Sequence, residues 1–298
     1  MEMPQHLRFT PLHPRFAARV EGADLTRPLS PAAAAAIEAA MDRFAVLVFP
    51  AQAIDDAQQL AFGLNFGPVE EVPSLVDQER RRLPDNKLND ISNLGADGRL
   101  LAADDRRRMF NLGNLLWHSD SSFKATPSKY AGLHARALPP DPPPTEFADM
   151  RAAGEALPAA MQARLRDRVC DHSLLYSRAQ LGFSDFTPEE QERCRPVPQR
   201  LVRWHPGSGR HSIYLSSHIG AIHGMPRPEA MMLVRDLVEH ATQPAFVYRH
   251  AWAPGDLVLW DNRSTMHRAR PFEDTRYVRD MRRVTIQDVA PTLQQRAA

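Results

Sequence analysis

The sequence predicts a mainly β, α+β protein built on a double-stranded β-helix (jelly-roll) core with flanking helices. From residue 129 to 288, short apolar and β-prone segments recur between turn residues. Two helix-like stretches interrupt these segments instead of alternating with every strand, which disfavours a doubly wound parallel sheet. The opening third reads helix, strand, helix, a scaffold that packs outside such a core.

Each element has a local reason. Ser30-Pro31 before AAAAAIEAAMDRF supplies an N-cap and a proline at the first helical position. This helix runs into AVLVFP, residues 45–50, a short buried strand closed by proline. A second helix spans 55 to about 64 and stops near Gly67-Pro68. Residues 71–108 are polar and charged, and a loop of that length predicts a mobile lid over a site. Strands follow at 129–137, 145–150, 201–205, 213–216, 246–252, 257–261 and 282–288, with helices starting at Leu157 and Pro228. Ala253-Pro254-Gly255-Asp256 marks a turn between two strands. Pro139-Pro140-Asp141-Pro142-Pro143-Pro144 reads as a rigid loop, because proline cannot donate to a central sheet. The four tryptophans read as core residues. The whole chain, 1–298, reads as a single domain.

Composition narrows the function classes. Lysine plus arginine (37) balances aspartate plus glutamate (36), so no basic excess points to nucleic acid. The N-terminal MEMPQHLRFTPLHPRF has no apolar signal-peptide core, and no apolar run approaches the roughly 20 residues that cross a bilayer. The expectation is a cytoplasmic protein with neither a membrane nor a nucleic-acid partner. Cys170 and Cys194 fit no zinc or disulfide framework and read as free thiols in a reducing compartment.

The chemistry concentrates in LWHSDSSF. His118 and Asp120 stand two apart, and on a strand that spacing puts an imidazole and a carboxylate on one face. Such a pair arises by chance in chains of this composition, although this is the only His-x-Asp/Glu here. His267, after the strand-like LVLWDN, is the best candidate for a third ligand. Two imidazoles and one carboxylate leave half an octahedron open, which suits Fe(II) binding an oxoacid and O2. Zinc more often takes a closed tetrahedral site.

The order His-x-Asp, a distal histidine and then an arginine resembles the taurine dioxygenase family of Fe(II)/2-oxoglutarate-dependent dioxygenases. Within it the chain looks most like the 2,4-dichlorophenoxyacetate and other aryloxyalkanoate dioxygenases. NFGPVEE, NDISN, LWHSDSSF, TEFADMRAA, HPGSGR, EHATQPAFVYRHAWAPGDLVLWDNR and HRARPF carry the likeness, which runs from about residue 12 to 288. It implies Fe(II), 2-oxoglutarate as co-substrate, O2, a small anionic substrate and a homo-oligomer. Arg279, 12 residues after His267, is then the partner of the distal carboxylate of 2-oxoglutarate, shared with the Thr145 hydroxyl. Arg283 holds the substrate anion, Arg282 points the other way as a structural residue, Asn114 is a polar pocket residue, and Ser119 offers its backbone N–H to the anion. His218 lies in a stretch that resembles a pocket wall; most of the other histidines read as surface or core residues. One departure stands out: Leu75 occupies the position of a substrate-binding lysine of the early loop, and Lys87 is too far along to replace it. The implied reaction hydroxylates an aryloxyalkanoate, with ether cleavage to a phenol and an oxoacid. A taurine- or alkylsulfonate-type dioxygenase, a non-catalytic jelly-roll binding protein and, more weakly, a zinc hydrolase are the rival readings.

Overall fold

In the computed structural model, residues 6–71, 82–84 and 86–297 are described. Leu75, with residues 72–81 and 85 of the expected lid, lies outside them.

The helices begin where their caps place them. The Ser30 hydroxyl accepts the Ala33 N–H (3.1 Å) and starts α1 (Pro31–Phe44), and Asp55 with Gln58 forms a reciprocal capping box on α2 (Asp56–Leu64). The other helices are α3 (Arg106–Asn111), α4 (Met150–Glu155), α5 (Ala159–Leu165), α6 (Leu174–Ala179), α7 (Pro188–Arg193) and α8 (Arg227–Ala241).

A large sheet has the spatial order β1 (Arg8–Pro11), β2 (Ala18–Glu21), β3 (Val46–Phe49), β13 (Leu257–Asp261), β5 (Ser128–Ala137), β15 (Asp280–Gln287), β4 (Leu88–Ser92). Facing it are three small sheets. One joins β12 (Val247–His250), β6 (Thr145–Asp149) and β14 (Thr265–Ala269), and another joins β11 (Ile219–Ile222), β7 (Val169–His172) and β8 (Val197–Arg200). The last is the hairpin of β9 (Val202–His205) and β10 (Arg210–Ile213). Sheets with helices on their outer faces make the jelly-roll core expected from the sequence.

Side-chain alternation explains the layering. Leu47, Phe49, Leu257, Leu259, Val284 and Ile286 face outwards and bury α1 and α2, whereas Val46, Val48, Val258 and Trp260 face the interior. On β6 and β14, Phe147 points inwards beside His267, while Ala148 and Met266 point outwards beneath α4 and α8. Each fully buried aliphatic or aromatic side chain contributes roughly 1.5–3 kcal/mol.

The structure departs from the sequence reading at several strands. The segment expected at 213–216 ends at Ile213, because the turn after His205 starts pairing at Arg210↔His205 and the hairpin is complete at Ile213↔Val202. Leu215 then gives its carbonyl to the Ser119 hydroxyl. Residues 71–108, read as one loop, contain β4 and the start of α3; β4 pairs with β15, and Arg82 donates to Asp90 and Asp280 across that pair. His118 and Asp120 do not share a strand: His118 makes an isolated bridge to His267, and Asp120 sits in the turn beyond it.

Candidate active site

The His118–His267 bridge builds the site. Each residue accepts the other's backbone N–H (3.0 and 2.8 Å), which fixes the two ring centroids 4.2 Å apart. The chain then turns sharply, with Ser121 at φ 54°, and brings the Asp120 carboxylate beside the Nε2 atoms of both rings. The Asn262 amide oxygen accepts both the Asp120 N–H (3.0 Å) and the Trp260 indole N–H (3.1 Å), tying this turn to the end of β13.

Asp120 Oδ1 lies 3.8 Å from His118 Nε2, and Asp120 Oδ2 lies 3.6 Å from His267 Nε2. One ligand atom from each residue lies within 4.8 Å of the other two, the one such group found among the described residues. His118 Nδ1 donates to the Leu116 carbonyl at 2.7 Å, so its Nε2 carries the lone pair. Asp120 Oδ2 is buried without a hydrogen-bond partner, an arrangement that costs energy unless a cation or donor meets it. Burial, followed for His267 by the neighbouring His118, holds both histidines below their ordinary range. Burial alone would raise Asp120, but Arg283 and the two imidazoles hold it low. Two neutral imidazoles and one carboxylate are the protonation states a divalent cation requires.

The predicted anion-binding residues are placed in different ways. Arg283 Nη1 reaches Asp120 Oδ1 at 2.5 Å, so the arginine expected to meet the substrate also grips the ligand carboxylate. Arg282 points away to Asp280, as expected of a structural residue. Arg279 is buried with no acidic partner among the described residues, and burial draws its pKa down to about 10. With Asn114 it lines a cavity of about 190 Å³. Thr145 is buried at the start of β6, outside the lining of that cavity, and its Oγ1 accepts the Trp252 indole N–H at 2.9 Å. The Ser119 hydroxyl donates to Leu215 and Thr265 carbonyls, and its N–H meets Ser216 Oγ at 3.4 Å, so its polar groups are engaged within the protein.

His218 is buried with its ring 6.1 Å from His118 and 5.1 Å from Phe123. Its Nδ1 bonds Ser177 Oγ (2.9 Å), which also accepts Arg178 Nη1 (3.0 Å). Sequence reasoning missed Asn262, Trp252, Ser177 and Arg178. Nothing local marks them, since each acts on a residue 41 or more positions away or through one that does.

Comparison with known proteins agrees with this architecture. Residues 8–285 match the family described as Taurine catabolism dioxygenase TauD, TfdA family. The chain is 44% identical over 280 residues to the alpha-ketoglutarate-dependent 2,4-dichlorophenoxyacetate dioxygenase of Cupriavidus pinatubonensis, covering 94% of this chain and 97% of that one. It is 37% identical over 273 residues to the (S)-phenoxypropionate/alpha-ketoglutarate-dioxygenase of Sphingobium herbicidovorans, covering 89% and 90%. A crystal structure of AAD-2 in complex with Mn(II) and N-oxalylglycine superimposes with a TM-score of 0.93 at 52% identity, covering 97% of this chain and all of that one.

Proposed function

We propose, since the chain belongs to the Taurine catabolism dioxygenase TauD, TfdA family, that it oxidises an aryloxyalkanoate carboxylate and releases a phenol and an oxoacid. It is a 2-oxoglutarate-dependent dioxygenase whose cofactors are Fe(II), 2-oxoglutarate and O2. We read 1–298 as one dioxygenase domain.

When bound, iron supplies the oxidative chemistry that couples decarboxylation of 2-oxoglutarate to hydroxylation of the substrate. His118 Nε2, Asp120 and His267 Nε2 would hold it, and the buried, partnerless Asp120 Oδ2 beside the imidazoles supports that assignment. Arg279, a buried cation without a protein counter-charge, takes the distal carboxylate of 2-oxoglutarate together with the Thr145 hydroxyl, whose oxygen is steadied by Trp252. Arg283 orients Asp120 and presents its charge to the carboxylate of the substrate, and Asn114 adds a polar group to the cavity beside Arg279. Phe147 and Trp260 pack against His267 and exclude water from the inner side. Hydroxylation at the carbon bearing the ether oxygen gives a hemiacetal, and its collapse yields the two products.

The observation that carries the reading is the closure of His118, Asp120 and the sequence-distant His267 around one point in the interior. A panel of aryloxyacetates, 2-aryloxypropionates and alkylsulfonates, scored by succinate and phenol released, tests it. Succinate and phenol should appear together with the aryloxyalkanoates, and His118→Ala should abolish both. Succinate release with sulfonates alone would refute the substrate class, and coupled turnover by His118→Ala would remove His118 from the ligand set.

A further inference from the structure

We propose that Asn93 is a positioning residue for 2-oxoglutarate, its side chain fixing the stretch of backbone from which Arg279 reaches the distal carboxylate. This rests on the reading of Arg279 given above. The β4–β15 ladder ends at the pair Ser92↔Asp280. One step further, the Asn93 N–H donates to the Arg279 carbonyl (3.3 Å), and Asn93 Oδ1 accepts the Arg279 N–H (2.8 Å). One residue thus holds the backbone on both sides of the Arg279 Cα. Asn93 Nδ2 donates to the Asp274 and Tyr277 carbonyls at 2.6 and 2.8 Å, so the same amide also gathers the loop between His267 and Arg279. Arg108 secures that loop from outside, donating from Nε and Nη2 to the two Asp274 carboxylate oxygens at 2.9 Å each.

Asn93, Arg108, Asp274 and Arg279 all line the 190 Å³ cavity. The amide has one acceptor and one donor group, and both are committed here, so aspartate and alanine each lose part of the pattern. The guanidinium of Arg279 has no ion pair and no hydrogen bond to the described residues that could aim it. Its direction therefore depends on its backbone and on packing and not on a polar partner, and a two-point grip on a carboxylate tolerates little misplacement.

The test is calorimetric titration of the Fe(II)-loaded protein, without oxygen, with 2-oxoglutarate and with 2-oxobutyrate, which lacks the distal carboxylate. Asn93→Ala should weaken 2-oxoglutarate about tenfold or more and leave 2-oxobutyrate within about twofold. Arg279→Met should show the same selective loss. Equal weakening of both acids, or of neither, by Asn93→Ala while Arg279→Met stays selective overturns the role of Asn93. An Arg279→Met protein that binds both acids as the parent does overturns the underlying reading and the proposal with it. Should Asn93→Ala fold poorly, Asn93→Asp keeps the acceptor for the Arg279 N–H, removes the two donors, and is judged by the same comparison.

Discussion

His172 should make this protein acid-sensitive, by an amount the structure allows to be worked out. The residue ends β7, is fully buried, stacks on Tyr214 (5.7 Å, 19°) and uses Nδ1 on Ser122 Oγ at 3.0 Å, while its Nε2 has no partner. Burial holds its pKa at about 3. In the unfolded chain the same ring titrates at about 6.5. Between these values only the unfolded state binds the proton, so stability is intact above pH 6.5 and is lost as the pH falls towards 3. Each pH unit in that window costs about 1.36 kcal/mol, or about 2.7 kcal/mol by pH 4.5. Urea unfolding of the parent and His172→Phe at pH 7.5 and 4.5 isolates this effect, because the other titrating groups are common to both proteins. At pH 7.5 the variant should be less stable by about 1 kcal/mol, since Ser122 loses its partner. At pH 4.5 the order should reverse. A gap between the two proteins that stays the same at both pH values would refute the reasoning.

Two further outcomes follow from contacts around the site. A methyl group at Gly113 would lie 2.4 Å from Arg178 Cζ, displacing a buried guanidinium held by the Phe110 carbonyl (3.1 Å) and Ser177 Oγ (3.0 Å). Gly113→Ala should therefore cost about 2–4 kcal/mol, and less than about 1 kcal/mol in an Arg178→Ala background; equal costs in a double-mutant cycle would place the clash elsewhere. Trp252→Phe removes the N–H bonded to Thr145 Oγ1, so the KM for 2-oxoglutarate should rise about fivefold with metal affinity unchanged. A KM equal to that of the parent would show that Thr145 needs no such support.

The legible parts of this protein are those governed by near neighbours. Ser30 announced one helix start because a cap bonds backbone three residues away, whereas the capping role of Asp55 on α2 emerged only in the structure. β13 was legible from an apolar run that stands out between turn residues. β1 escaped because most of its residues are exposed, and β4 because its residues lie within a polar stretch. β14 escaped as well: TMHRA carries Arg268, whose charge is met only across the sheet by Glu146 at 2.7 Å.

At the site, His118 and Asp120 stood out as a candidate pair by residue type and spacing, with His267 as the best third ligand, whereas Arg279 and Arg283 were implied only by the family resemblance. Their relations were not legible. Strand pairing and the turns and loops at the strand ends brought Asn93 to Arg279 across 186 residues, Arg283 onto Asp120 across 163, and Asn262 onto the Asp120 N–H across 142. The fold also brings Ser216 Oγ to the Ser119 N–H. Register is chosen cooperatively by the packing of whole sheet faces, and a one-residue slip would send every side chain to the opposite face. Residue chemistry was thus written locally, whereas its aim was decided by the assembled sheets.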